Sequence, residues 1–129
     1  MRFAGYAALF GTPDAAQDTV EKGAFQRTLV RRSAPLPLFW QHRPDQQIGW
    51  VVTASEDQRG LRIIAEIDNP DGKAATLLSG HKVSGLSFGY RARRYRKNGT
   101  GRRLEEIDLF EISLVTHPLQ HGARVHMIA

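Results

Sequence analysis

"VSGLSFGYRARRYRKNGTGRRLEEIDLFEISLVTH", residues 83–117, reads as two long strands around one tight turn. Asn98-Gly99 between two strand patterns is a strong short-range hairpin signal. In the outgoing strand Leu86, Phe88 and Tyr90 share one face, while Gly85, Ser87 and Gly89 share the other. The apolar face anchors the strand in a core. The opposite face presents one hydroxyl between two residues without side chains. Glycine weakens a strand interior, and its usual reason there is a bulge or the close approach of another group. In the returning strand, alternation groups Leu109, Glu111, Ser113 and Val115 on one face and Asp108, Phe110, Ile112 and Leu114 on the other. A carboxylate among apolar neighbours is costly unless paired. Glu111 therefore calls for a partner, either a histidine N–H or an arginine of the hairpin. With the tip near residue 99, Ser87 and Glu111 lie equally far from the turn and at the same level of the sheet.

Outward from this hairpin, residues 2–10 read as a first strand, and Gly11-Thr12-Pro13-Asp14 as a turn. A short helix is expected around 22–31, with Phe25, Leu29 and Val30 toward the core. "PLPLFWQH" is held extended by Pro35 and Pro37. "IGWVVTASE" and "GLRIIAEI" form a hairpin about "EDQRG". "NPDGKAATLLSGHK" is a second helix, starting near Pro70 or Asp71 and ending near Gly80. "ARVHMIA" gives a last short strand. No repeat, low-complexity tract or linker divides the 129 residues, so one domain spanning 1–129 is expected. The fold class is mainly β (α+β), with about seven strands and two short helices in a small barrel or strongly curved sheet. Closing the sheet would remove its open edges.

Composition narrows the chemistry. No apolar run approaches the roughly 20 residues that span a bilayer, and residues 1–11 suit a strand better than a signal peptide. Without cysteine there is no disulfide, thiol nucleophile or thiolate metal site. The net charge of +5 is local: seven basic residues and no acid lie between Arg91 and Arg103, and the remainder carries 11 basic against 13 acidic residues. His117, His121 and His126 lie beside Pro118 with no acid near, a poor ligand set, so neither metal nor cofactor is expected.

Three residues could act together. His42 stands where the apolar run Leu38-Phe39-Trp40 gives way to "HRPDQQ", a placement that fixes one ring edge and leaves the other open for a general base. The same position also suits a boundary histidine satisfied by backbone, and the small face at Ser87 equally suits close packing. Serine needs an adjacent base, and the base a third group to fix its tautomer. Ser87, His42 and Glu111 supply those roles, with Gly85 and Gly89 leaving room for a substrate carbonyl. "GLSFG" is followed by more strand, so it is not an α/β-hydrolase elbow.

The chain resembles the prohead (capsid maturation) proteases of tailed phages and phage-derived particles. The resemblance rests on "GYAALFG" 5–11, "VEKGAF" 20–25, "LPLFWQHRPDQQIG" 36–49, "RGLRIIAEI" 59–67, "LLSGHKVSGLSFGYR" 77–91 and "LFEISLVTHP" 109–118, in the family's order. It implies a serine endopeptidase with the fold of the herpesvirus assembly proteases, Ser87 as nucleophile, His42 as base and Glu111 as the acid. Asp108 is the runner-up acid, and His117 would serve if a second histidine took the third role. It places an oxyanion site near His117–Leu119. It also implies action on the major capsid protein or its scaffolding segment, and on itself, inside the assembling prohead in the host bacterial cytoplasm, with self-association a further expectation. No membrane partner is expected and nucleic acid is disfavoured. The rival function is a nucleic-acid-binding or structural capsid-assembly β-barrel module using the basic hairpin 91–103.

Overall fold

In a computed structural model describing residues 1–129, the chain runs through β1 (Arg2–Leu9), β2 (Asp18–Val20), α1 (Gln26–Arg31), β3 (Pro37–Trp40), β4 (Arg43–Glu56), β5 (Gly60–Ile67), α2 (Lys73–Ser79), β6 (Gly85–Asn98), β7 (Gly101–Val115) and β8 (Val125–Ile128). Strand β7 organises the rest. It pairs with β6 along one edge, from Asn98↔Gly101 to Gly85↔Val115. Two strands share its other edge, both parallel to it: β2 against Arg102–Leu104 and β3 against Ile112–Leu114. From β3 the sheet continues antiparallel through β4, β5 and β1 to β8. Leu86 N–H donates to Ala123 O (2.9 Å) and Val125 N–H to Ser84 O (2.8 Å), and Gly85 bridges Arg124. These contacts bring β8 back to β6, so the sheet closes on itself and leaves few free edges.

The interior follows from alternation. Phe3, Leu38, Leu61, Ile63, Leu86, Ile107, Leu109, Ile112 and Leu114 are fully buried in one continuous core. Phe25 meets Phe88 edge-on at 5.4 Å, and Phe88 lies 4.8 Å from Tyr90, as their shared face predicts.

Four local expectations change. The β6–β7 turn has Gly99 and Thr100 at its centre, and only Gly99 has positive φ (63°), the type II′ pattern; Asn98 is already paired. Helix α1 is six residues long, and Val30 points into solvent. Phe25 is fully buried and Leu29 packs against the core, as expected, and the buried Thr28 takes the remaining inward position, its hydroxyl accepting from Leu109 N–H at 3.1 Å. Helix α2 has its N-cap at Gly72, one or two residues beyond the expected start. An eighth strand, β2, appears in a segment whose polar turn residues gave no strand pattern.

Strand β2 is held by a buried carboxylate. Asp18 accepts two hydrogen bonds from the Arg102 guanidinium (2.9 and 2.8 Å) and one from the Tyr90 hydroxyl (2.7 Å). The Arg102 bonds hold its carboxyl below the usual carboxylate range; burial opposes this, and Tyr90 adds to the lowering. A depressed carboxylate stabilises the fold above its unfolded pKa of about 3.9, and the contribution disappears as pH falls through the folded value. Asp18→Asn should therefore cost about 1–3 kcal/mol near neutral pH. In thermal unfolding followed from pH 7 to pH 2, the gap between wild type and variant should close below about pH 4.

Candidate active site

Between Leu109 and Glu111, β7 carries one residue more than its partner: Tyr90 faces Leu109, Gly89 faces Glu111, and Phe110 is unpaired and exposed. This β-bulge resets the alternation. Leu109 stays in the core with Ile112 and Leu114, so it does not share a face with Glu111 as simple alternation has it. Glu111 and Ser113 turn outward, onto the same face as Gly89 and Ser87 of β6. The bulge and the shorter turn also shift the register, so Ser87 stands opposite Ser113 and Glu111 two pairs further along, opposite Gly89.

His42 arrives from the other edge of β7. Strands β3 and β4 are joined by the two-residue turn Gln41-His42, which closes the Trp40↔Arg43 pair. Both residues have positive φ, 53° and 59°, the type I′ pattern that normally selects Asn-Gly. Left-handed backbone costs a non-glycine residue roughly 1–2 kcal/mol, and β7 supplies compensating contacts. Gln41 N–H donates to Leu114 O (3.0 Å) and its side-chain Nε2 to Thr116 Oγ1 (2.6 Å), while Thr116 N–H donates to Gln41 Oε1 (3.1 Å). His42 N–H donates to Ser113 Oγ (3.1 Å).

The turn lays the imidazole over Glu111, with Nδ1 2.5 Å from Oε1. The second carboxylate oxygen accepts from Ser113 Oγ at 2.7 Å. An ionised carboxylate only accepts, so Nδ1 carries the proton and Nε2 is left with its lone pair. Glu111 is nearly buried, whereas the His42 ring is about two-fifths exposed (10% against 41%). One edge of the ring is thus fixed and the other open. Ser87 is buried at the residue level, and its hydroxyl makes no hydrogen bond to His42 or any other protein group. Ser113 is fully buried with its hydroxyl committed to Glu111.

The two glycines have neighbours of their own. A Cβ on Gly89 would lie 2.5 Å from Glu111 Oε1, and one on Gly85 would lie 2.7 Å from Pro118 Cδ. What approaches the bare backbone at Gly89 is the chain's own carboxylate, on its way to His42. Asp108 also lies outside the barrel, where Arg91 (3.0 Å) and Arg93 (3.3 Å) hold it. Those arginines keep its carboxyl below the ordinary range against the opposing effect of desolvation. His117 is exposed beyond the end of β7 and has no side-chain hydrogen bond. No three His, Cys, Asp or Glu side chains converge as metal ligands. Gln41, Ser113 and Thr116 were not singled out from sequence; the available signal was the i, i+2 spacing of Glu111 and Ser113 on one strand face.

The basic hairpin is largely neutralised in space. Arg91 and Arg93 pair with Asp108, Arg93 also with Glu106, Arg96 with Glu105 and Glu21, Arg102 with Asp18, and Arg103 with Glu21. No helix is long and apolar enough to cross a membrane.

The family model described as caudovirus prohead serine protease matches residues 1–129. The capsid polyprotein of Pseudomonas phage PAJU2 is 31% identical over 126 residues, covering 88% of this chain and 18% of that protein. The capsid scaffolding protein of Gallid herpesvirus 2 is 31% identical over 67 residues, covering 52% and 10%. This chain therefore spans less than a fifth of either relative's length. Among solved structures, the Kaposi's sarcoma-associated herpesvirus protease bound to a hexapeptide phosphonate inhibitor aligns over 96% of this chain and 63% of that one, with TM-score 0.69 and 14% identity. The varicella-zoster virus protease aligns over 97% and 62%, with TM-score 0.58 and 16% identity. The barrel is thus the herpesvirus-protease fold, and the chain belongs to the caudovirus prohead serine protease family.

Proposed function

We propose that residues 1–129 form one serine endopeptidase domain that cleaves the scaffold, or the N-terminal scaffolding segment of the major capsid protein, inside the assembling prohead. The observation that carries this reading is the His42–Glu111 pair. Its short contact through Nδ1 leaves Nε2 free on the barrel face that also bears the unpartnered Ser87 hydroxyl. The relatives support the choice of substrate, since they are named as a capsid polyprotein and a capsid scaffolding protein of much greater length. Processing of the chain's own polypeptide, and action within the host bacterial cytoplasm, belong to the same proposal.

In the first step Ser87 Oγ attacks the peptide carbonyl carbon while His42 Nε2 takes the hydroxyl proton. Glu111 keeps Nδ1 protonated and stabilises the imidazolium. Backbone N–H groups of the segment 117–119 beyond β7 receive the oxyanion. Collapse of the tetrahedral intermediate breaks the C–N bond, and His42 returns the proton to the leaving amine. Water then repeats the sequence on the acyl-enzyme and releases Ser87. Ser113 is unsuited to the nucleophile's role because its hydroxyl is fully buried and its proton is given to Glu111. The neutralisation of the hairpin arginines weighs against the nucleic-acid reading, since a phosphate would have to displace an existing carboxylate.

Co-expression with the neighbouring capsid protein should yield processed capsid protein with wild type and full-length protein with Ser87→Ala. Identical processing in both would sink the proposal. Glu111→Gln should lower kcat about 10²- to 10⁴-fold, whereas Asp108→Asn should stay within about threefold of wild type. Steady-state kinetics on a peptide spanning the mapped cleavage site separates these two acids. Gly89→Ala should also reduce kcat strongly and lower the unfolding temperature, because its methyl group displaces the Glu111 carboxylate from its bonds to His42 and Ser113. Circular dichroism melts beside the activity assay check that pairing.

A further inference from the structure

We infer that Ser113 is a positioning residue for the histidine base; this rests on the proposed role of His42. A hydroxyl has one proton to give and lone pairs to receive another. Ser113 Oγ donates its proton to Glu111 Oε2 (2.7 Å) and accepts the backbone N–H of His42 (3.1 Å). Glu111 Oε1 in turn contacts His42 Nδ1. The three residues form a closed ring: His42 backbone to Ser113, Ser113 to Glu111, Glu111 back to the His42 side chain. The ring fixes the imidazole relative to the carboxylate at both ends, through backbone and side chain together.

Placement on the sheet explains why a serine serves here. Ser113 lies two residues from Glu111 on the outward face of β7, next to Phe39 of β3 and opposite Ser87 of β6. The turn that follows β3 therefore passes directly over it. A longer side chain at this fully buried position would lift the turn, and an apolar one would leave the His42 N–H without its acceptor. Gln41 anchors the first residue of the same left-handed turn through Leu114 O and Thr116, independently of Ser113. Loss of the Ser113 hydroxyl should thus loosen His42 while Gln41 stays tied.

The test is Ser113→Ala together with Ser113→Thr, which keeps a hydroxyl. With a peptide spanning the capsid-protein site mapped by co-expression, Ser113→Ala should lower kcat about 10- to 100-fold and leave KM within about twofold. Ser113→Thr should recover most of the loss. In amide hydrogen exchange followed by NMR, carried out in a Ser87→Ala background, Ser113→Ala should speed exchange at His42 about five- to tenfold and leave Gln41 unchanged. Unchanged kcat, a defect confined to KM, or equal acceleration at Gln41 and His42 would overturn the inference. The exchange arm needs no turnover. If wild type proves inactive, the endopeptidase reading fails, while exchange at His42 still decides whether Ser113 holds the turn.

Discussion

Glu111 reaches His42 because β7 inserts Phe110 as an unpaired residue in its ladder with β6. Had the strands paired without that bulge, the alternation that buries Ile107 and Leu109 would have carried Glu111 inward as well. The core enforces the irregular register. Ile112 and Leu114 beyond the bulge are fully buried, and sliding the strand by one residue would expose both while burying Glu111 and Ser113. Each leucine-sized side chain moved out of the core forfeits about 1.5–3 kcal/mol. The apolar side of β7 thus fixes the direction of the carboxylate on its polar side. Parallel pairing with β3 then delivers the Gln41-His42 turn to the same level of the strand.

That turn is a local conflict settled by its surroundings. Two consecutive non-glycine residues in left-handed backbone are unfavourable, and neither glutamine nor histidine has the intrinsic tolerance of asparagine or glycine. Every bond that offsets the cost comes from the end of β7: Leu114 O, the Thr116 backbone and hydroxyl, Ser113 and Glu111. Strain of this kind persists where the surrounding structure over-determines it, and such places cluster at functional sites. A glycine in place of His42 would relax the backbone and remove the imidazole. The strain is the local cost of having a side chain at that position.

Much of this is legible in the amino-acid sequence. Alternation in "GLSFGY" puts Leu86, Phe88 and Tyr90 inward, as found, and the hairpin and both helices follow from turn residues and period, while the sheet is expected as either a small barrel or a strongly curved sheet. His42 and Glu111, each flagged separately, do meet. The two misreadings on β7 share one physical origin, since alternation is a local rule and cannot report an inserted residue. Phe110 looks like any other strand residue, so plain alternation puts Leu109 on the wrong face and Glu111 level with Ser87. Strand β2 escaped notice because three residues are too few for a period, and because its buried aspartate is tolerable only beside Arg102, 84 positions away. Val30 was drawn inward by hydrophobicity alone, whereas the pitch of a six-residue helix gave Thr28 the inward place. Of the two bonds of Ser113, the one to Glu111 is local, two residues away on the same strand face, but the one from His42 N–H depends on a turn 71 residues away in sequence.

The basic hairpin teaches the complementary lesson about charge. Along the chain, residues 91–103 look like a naked cationic arm, yet the acids that balance them lie at 18, 21, 105, 106 and 108, on β2, beside it and on the returning strand. Five of the seven basic groups are spent on binding the hairpin to itself and to the β2 segment; Arg94 and Lys97 have no ion-pair partner. Exposed pairs of this kind contribute little each, but the Asp18–Arg102 bond is mostly buried and closes the far end of β7. The hairpin is therefore first a structural element, which ties the β2 segment to the strand that carries Glu111 and Ser113. Any attraction for an acidic partner must come from Arg94, Lys97 and the residual field.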